Sequence, residues 1–366
     1  MSPVLSCGGV SDLWFEDTKV GRMFKETWEA DDAQVDAWLA EYGIPTPCGW
    51  ARPGTYIQTT VRGEMEKERR KNDIVLIPVG CTENHGRHTV SAMDTLFCSH
   101  LCEAVRRKTA ESGAPVSLAL PPLMYGGHPY HHIGMPGTVI LREEVVEEVL
   151  IDVMLSLWND GFRKQIIVNN HGHLWMLETA LHKFIKRYQL PGVFKVVEWH
   201  RSVKHFFRTI EQGGPWETST VHADEMETSV GLLLFPEMVD MSYAVDTETK
   251  PYLPGGYIDN AIEGYDRPSR WSENEGHMPI EFFGTPEGVV GKPTASDPQK
   301  AKRAVVAFVR YLTMMCDDIL ATFPAGAVPP VEEFTFRTAK DMEPFLKEPL
   351  SPGWKPVHAL PYIGQH

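Results

Sequence analysis

Three short segments of the chain concentrate the residue types that bind divalent metals and move protons. The first is Gly80-Cys-Thr-Glu83-Asn-His85-Gly-Arg-His88, with Asp94 following. The second is Val168-Asn-Asn-His171-Gly-His173, and the third is His222-Ala-Asp-Glu-Met-Glu227-Thr-Ser. Carboxylate oxygen and neutral imidazole nitrogen together suit zinc, manganese or iron(II). An ion so held acidifies water at neutral pH and polarises a carbonyl group. None of the three is a zinc-finger or H-E-x-x-H pattern, so the argument rests on their conjunction. The histidine count supports it, since twelve of the fifteen lie between His85 and His222.

Plainer roles exist for many neighbouring residues. His88, His100 and His182 read as ordinary helix or loop histidines, and His131 and His132 suit a tight turn as well as a site. Asp94 alone reads as the N-cap of a helix starting at Thr95. A helix starting near Ala223 places Asp224 and Glu227 on one face, where its N-terminus favours carboxylates. Asp224 and Glu225 read as solvated, Asn169 and Asn170 as structural or supporting residues, and Cys98 and Cys102 as core. Trp175, Trp199 and Trp216 read as core or interface. His85, His171 and Glu227 resist such explanations, because three separate segments would each need one.

The elements that must position these groups alternate. Strand-length apolar runs occur at residues 74–79, 116–120, 165–168 and 193–197, with helix-period segments at 95–111, 143–159 and 177–188. That alternation predicts an α/β fold with a mainly parallel sheet covered on both faces, and the metal-type residues fall at strand carboxyl ends, where such sheets bind ligands. A last helix is expected from Ser296-Asp297-Pro298 towards Leu320. Residues 242–296 look mostly irregular, and the basic stretch in 64–72 reads as a solvated helix face. Residues 1–70 show no clear strand pattern and are expected to be an extension packed on the core. Residues 71–323 would form the catalytic domain, and 324–366 a proline-rich tail wrapping the surface.

The chain has 366 residues, is 42% hydrophobic and 23% charged, and carries a net charge of −14. Such a chain buries a full core without staples, and its acidity argues against a nucleic-acid partner. No apolar run approaches membrane-spanning length, nor does the N-terminus resemble a signal peptide. Cysteines 7, 48, 81, 98, 102 and 316 lack paired spacing, which reads as reduced thiols in the cytoplasm.

Taken in order, E-x-H-G-x-H with an aspartate eleven residues after the glutamate, N-x-H-G, and H-A-x-x-x-E-T-S resemble the creatininase (creatinine amidohydrolase) family. Tyr125-Gly-Gly-His128-Pro-Tyr-His131-His132-Ile-Gly-Met-Pro-Gly-Thr138 and Gly288-Val-Val-Gly-Lys-Pro-Thr294 resemble two further motifs of that family. The likeness covers roughly residues 73–315. It implies a three-layer α/β/α sandwich, a homo-oligomer such as a hexamer, and one or two divalent ions, zinc or manganese, with iron an alternative. Carried over by motif position, Glu83, His85, Asp94 and His171 would be ligands, with Asp94 able to bridge. Glu227 would lie on or near the metals as a ligand and catalytic carboxylate, and His222 would carry protons. The creatinine-cleaving branch has a glutamate ligand where this chain has His173, which leaves the second metal and creatinine itself open.

The N-terminal run Trp14-Phe-Glu-Asp-Thr-Lys-Val-Gly-Arg-Met-Phe-Lys-Glu-Thr-Trp28 and the phrase C-T-E-N-H-G-R-H resemble a subgroup that opens the ring of 3-dehydro-scyllo-inosose in inositol catabolism. This implies carbon–carbon hydrolysis of a small polar cyclic substrate, with His128, His131, His132 and His173 offered to its hydroxyls. A cyclic amide or formamide C–N hydrolase of the same family, and a non-catalytic metal-binding subunit, remain the alternatives.

Overall fold

The computed structural model describes residues 4–6, 14–41, 55–127, 134–247 and 286–363. Contacts divide the chain into two units, residues 1–52 and 53–366. In the first, β1 (Val4–Ser6) pairs antiparallel with β2 (Trp14–Glu16), and helices α1 (Lys19–Glu29) and α2 (Asp32–Glu41) follow. The sequence did not reveal this strand pair, because three-residue strands are too short to show alternation.

The second unit is built on a four-stranded sheet in the order β4-β3-β5-β6, every pairing parallel. Its elements begin with α3 (Arg62–Arg69), β3 (Ile74–Val79), α4 (Met93–Ala110), β4 (Ser117–Leu118), α5 (Glu143–Asn159), β5 (Lys164–Asn169) and α6 (Leu174–Tyr188). There follow β6 (Val193–Glu198), α7 (Trp199–Ser202), α8 (Glu225–Leu234), α9 (Pro298–Thr322), α10 (Val331–Phe334) and α11 (Ala339–Leu346). β3 and β5 are unbroken apolar or buried runs because both faces of the sheet are covered. Ile74, Leu76, Ile166 and Val168 enter one core with Phe97, Trp199, Phe235 and Phe308. Val75, Ile77, Val79 and Ile167 enter the other with Leu150, Trp158 and Phe184. The three-layer α/β/α sandwich is therefore the observed architecture.

Several expectations change in detail. The strand expected at 116–120 pairs only over Ser117–Leu118, since Pro121 and Pro122 offer no backbone donors to extend it. α6 begins at Leu174, three residues early, directly after His173. α3 confirms the basic helix, but its Met65 and Arg69 are buried, Arg69 against Glu348 at 2.5 Å. Asp297 caps α9 by accepting from the Gln299 N–H, with Pro298 at the first helical position, as expected. Of 242–296, residues 248–285 lie outside the described residues.

The tail does more than wrap the surface: Met342, Phe345, Val357 and Leu360 belong to the second core. Lys164 at the start of β5 fastens it. Its fully buried ammonium meets Asp73 Oδ1 at 2.5 Å and donates to the carbonyls of Pro324 and Ala327, while Asp73 Oδ2 accepts from the Gly326 N–H. Replacing Lys164 with methionine strands a buried carboxylate, with an expected loss of about 3–5 kcal/mol in urea unfolding. A loss under about 1 kcal/mol would instead identify a solvated pair.

Candidate metal centre

The parallel strands deliver the site residues from their carboxyl ends. β3 ends at Val79, and Gly80 follows where a Cβ would lie 2.4 Å from the Thr95 nitrogen. Only glycine lets the chain pass so close to the start of α4, and this close passage brings Glu83 and His85 over Asp94. Asp94 is not the N-cap, since Ala92 precedes α4. It lies in the first turn, 1% exposed, with its carboxylate aimed inward. β5 ends at Asn169 and the chain turns at once into His171.

The third segment is held by a capped helix and a strained residue. Asp224 is the N-cap of α8, accepting from the Met226 and Glu227 N–H groups. Asp224 and Glu225 are fully buried, correcting their expected solvation. Glu225 accepts from the Glu217 and Thr218 backbone N–H groups and meets Lys300 Nζ at 2.6 Å. The expected start at Ala223 moves to Glu225, because Ala223 takes a left-handed φ of 47°. That conformation costs an L-residue about 1–2 kcal/mol. It turns the Ala223 N–H onto Glu227 Oε2 at 2.6 Å, so His222 and Glu227 are aimed into the same space.

Six sequence-identified residues thus converge: Glu83, His85, Asp94, His171, His222 and Glu227, all buried. Their ligand atoms form three groups, each within 4.8 Å: Glu83 with Asp94 and His171, His85 with Asp94 and Glu227, and Glu83 with His85 and His222. Asp94 belongs to the first two, with Oδ2 3.0 Å from His171 Nδ1 and Oδ1 3.8 Å from His85 Nε2. His171 Nδ1 is also 3.0 Å from Glu83 Oε2.

The hydrogen bonds around the cluster fit a cation. His85 Nδ1 lies 3.0 Å from the carbonyl of Glu83, so it carries the proton and donates. Its Nε2 is left as a lone pair, buried without a hydrogen-bond partner, 3.6 Å from Glu227 Oε2. A backbone carbonyl fixing the tautomer of a ligating histidine is a common supporting contact at metal centres. Burial, then the facing carboxylates of Asp224, Asp94 and Glu83, push the Glu227 carboxyl well above its ordinary range. Burial alone would lower His171, but Cys81, Glu83 and Asp94 outweigh it and hold it well above its usual value. A divalent ion held here would take the place of both protons and offset the repulsion among the carboxylates.

His173 is fully buried and stands edge-on to His171, with ring centroids 4.6 Å apart. Its Nε2 meets Asn169 Oδ1 at 2.9 Å, while Asn169 Nδ2 donates to the His171 carbonyl. His173 joins none of the ligand groups. His88, expected as an ordinary structural histidine, is buried, has Nε2 2.9 Å from Thr228 Oγ1, and is pushed down to about 4 by burial and by His85. His100 merely bonds the Leu96 carbonyl. His128, His131 and His132 lie outside the described residues. Cys98 and Cys102 are buried thiols in the core, as expected.

The remaining motifs support the centre. Asn84 receives the ends of two of them: its N–H donates to Thr138 Oγ1 and its Nδ2 to the Pro136 carbonyl. A Cβ on Gly288 would lie 2.0 Å from Asn84 Oδ1. The Val290 N–H donates to the His222 carbonyl at 2.8 Å, so the 288–294 segment braces the third segment at His222. Trp199 lies in the core, as expected; sequence reasoning gave Asn84 no role, and the only signal for it was its place between Glu83 and His85.

A parallel sheet with a buried carboxylate–histidine cluster at its strand ends defines an α/β protein with a candidate divalent-metal site, and comparison with known proteins gives its family. The family pattern of creatininase (creatinine amidohydrolase) matches residues 59–316. The chain is 43% identical to the 3-dehydro-scyllo-inosose hydrolase of Thermotoga maritima over 305 residues, 83% of this chain and 96% of that protein. It is 26% identical to the creatinine amidohydrolase of Pseudomonas putida over 197 residues, 50% of this chain and 72% of that one. A solved mutant creatininase of Zn–Zn type superposes with a TM-score of 0.56 at 20% identity, covering 75% of this chain and all of that one. The chain belongs to the creatininase family. No helix among the described residues is long and apolar enough to cross a membrane.

Proposed function

We propose that this protein is a divalent-metal-dependent hydrolase that opens 3-dehydro-scyllo-inosose by carbon–carbon cleavage, with zinc or manganese as its ions. The observation that carries the metal reading is the buried His85 Nε2 lone pair facing Asp94 and Glu227. Support for the substrate is the 43% identity to a hydrolase of that name over 83% of the chain. Glu83, Asp94 and His171 would hold one ion, and His85, Asp94 and Glu227 a second, with Asp94 shared. Bound there, the ions supply Lewis acidity to a substrate carbonyl and acidify water.

The chain's own groups provide the rest. His222 Nε2 lies 2.6 Å from the Asn84 carbonyl and therefore carries a proton, leaving Nδ1 as the basic atom, 3.9 Å from Glu83 Oε1. Nδ1 accepts a proton from the attacking water. The bond between the hydrated carbonyl carbon and the carbon between the two ketones then breaks, and its electron pair becomes an enolate. His222 returns the proton to that carbon, giving an open-chain keto acid. The carbonyl of Asn84 and the Glu83 carboxylate stabilise the imidazolium between these transfers.

The test is turnover of the metal-loaded protein with 3-dehydro-scyllo-inosose, the product followed by NMR, and creatinine run in parallel. An open-chain keto acid is expected. Creatine from creatinine with no turnover of the diketone would overturn the substrate and place the activity on a C–N bond.

A further inference from the structure

Trp199 opens α7 immediately beyond the end of β6 and is fully buried. Its indole N–H, which can only donate, is spent on Asn170 Oδ1. That contact settles which way the Asn170 amide faces: the carbonyl must meet the indole, so the NH₂ points the other way. There Nδ2 donates to Asp94 Oδ1 at 2.6 Å. Asn170 is itself 5% exposed, so neither end of the amide exchanges freely with water. Asp94 is the residue shared by the group with Glu83 and His171 and the group with His85 and Glu227, with Oδ2 3.0 Å from His171 Nδ1 and Oδ1 3.8 Å from His85 Nε2.

We infer that Trp199 and Asn170 form a positioning relay that holds the Asp94 carboxylate between the two half-sites. Rotation of Asp94 about its last torsion would swap or skew its oxygens and serve one half-site at the expense of the other. The amide bond to Oδ1 blocks that rotation while leaving a second lone pair on Oδ1 for an ion. Trp199 prevents Asn170 from flipping, because a flip would bring two donors face to face and two acceptors together at Asp94. The indole ring is fixed in turn by edge contacts with Phe97, Phe207 and Phe308, at centroid distances of 6.2, 5.0 and 6.1 Å. The relay thus connects the aromatic core under the sheet to the geometry of the metal centre. This inference rests on the metal reading above.

Trp199→Phe removes the N–H and keeps a ring in the aromatic cluster, and Asn170→Ala removes the amide. Metal-free full-length protein is titrated with zinc by calorimetry, and its cobalt(II) form is examined by visible absorption. Each variant is expected to bind zinc about 10–100-fold more weakly than the parent, with an altered cobalt spectrum. Both are read at a temperature where the metal-free variant is folded, because the lost packing and the unpaired buried group also lower its unfolding midpoint. The double variant should lose no more than Asn170→Ala alone, since the two groups act in series. Parental zinc affinity and cobalt spectrum in Trp199→Phe would overturn the relay while leaving the metal centre intact. So would losses in the double variant that simply add. A parent protein that binds neither ion would overturn the metal reading itself, and the relay with it.

Discussion

Asparagine in place of His222 is expected to leave a protein that binds its full complement of metal and turns over about 10²–10⁴-fold more slowly. The expectation follows from how the imidazole is held. Its Nε2 is committed to the Asn84 carbonyl, so only Nδ1 can exchange a proton with a substrate. The ring also lies against His85, with centroids 4.4 Å apart, which places Nδ1 at the edge of the ligand groups. Glu83, His85, Asp94, His171 and Glu227 complete two three-residue groups without it. Metal content and turnover measured on the same preparation separate the roles. If the variant loses an ion in proportion to its activity, His222 is a ligand in the group with Glu83 and His85, and the proton transfer belongs elsewhere. If turnover is unchanged, His222 has no part in the reaction.

The sequence made the sheet and the metal-type residues legible for the same physical reason. β3 and β5 must be apolar on both faces, so they stand out as continuous runs, and a parallel sheet delivers its ligands where those runs stop. Glu83, His85 and His171 were therefore visible both as residue types and by position. Asp94 and Glu227 were harder, because a carboxylate in a first helical turn has an equally good role at the helix N-terminus. Only the fold shows that Asp94 aims inward and that Asp224 takes the capping role instead. The burial of Glu225 was hidden because its partners, the Glu217 and Thr218 N–H groups and Lys300, belong to a preceding loop and to the remote helix α9. Asp224 is buried through backbone N–H groups of its own turn, which any aspartate at a solvated helix start could also meet. Trp199 and Asn84 act through a single hydrogen bond or a turn, and no residue type or spacing announces such a role. The core contribution of the tail was missed because Met342, Phe345, Val357 and Leu360 are spread among prolines and charges without a sustained period.

Stripping the metal should lower the unfolding temperature, and the gap between loaded and stripped protein should widen as pH rises. Without a cation, the Glu227 carboxyl in the fold sits well above its ordinary value through burial and the carboxylates of Asp224, Asp94 and Glu83. The unfolded chain ionises that group near about 4.3, so the fold binds the extra proton and loses stability as pH rises from there through the folded value. His171 acts in the same direction. Its folded value is raised above the ordinary histidine value by Cys81, Glu83 and Asp94 against the cost of burial. Its contribution is complete below about 6.5 and is lost as pH climbs through the folded value. Both groups thus weaken the stripped fold as pH increases, and a divalent ion displaces both protons, so its affinity rises over the same range. At a hundredfold excess over Kd, each occupied site adds about 2.7 kcal/mol, which in a domain of this size raises the midpoint by several degrees. Calorimetric scans with chelator and with zinc, at about pH 5 and about pH 8, provide the comparison. A gap that stays constant or narrows towards the higher pH would mean that protons do not compete with metal for these buried groups.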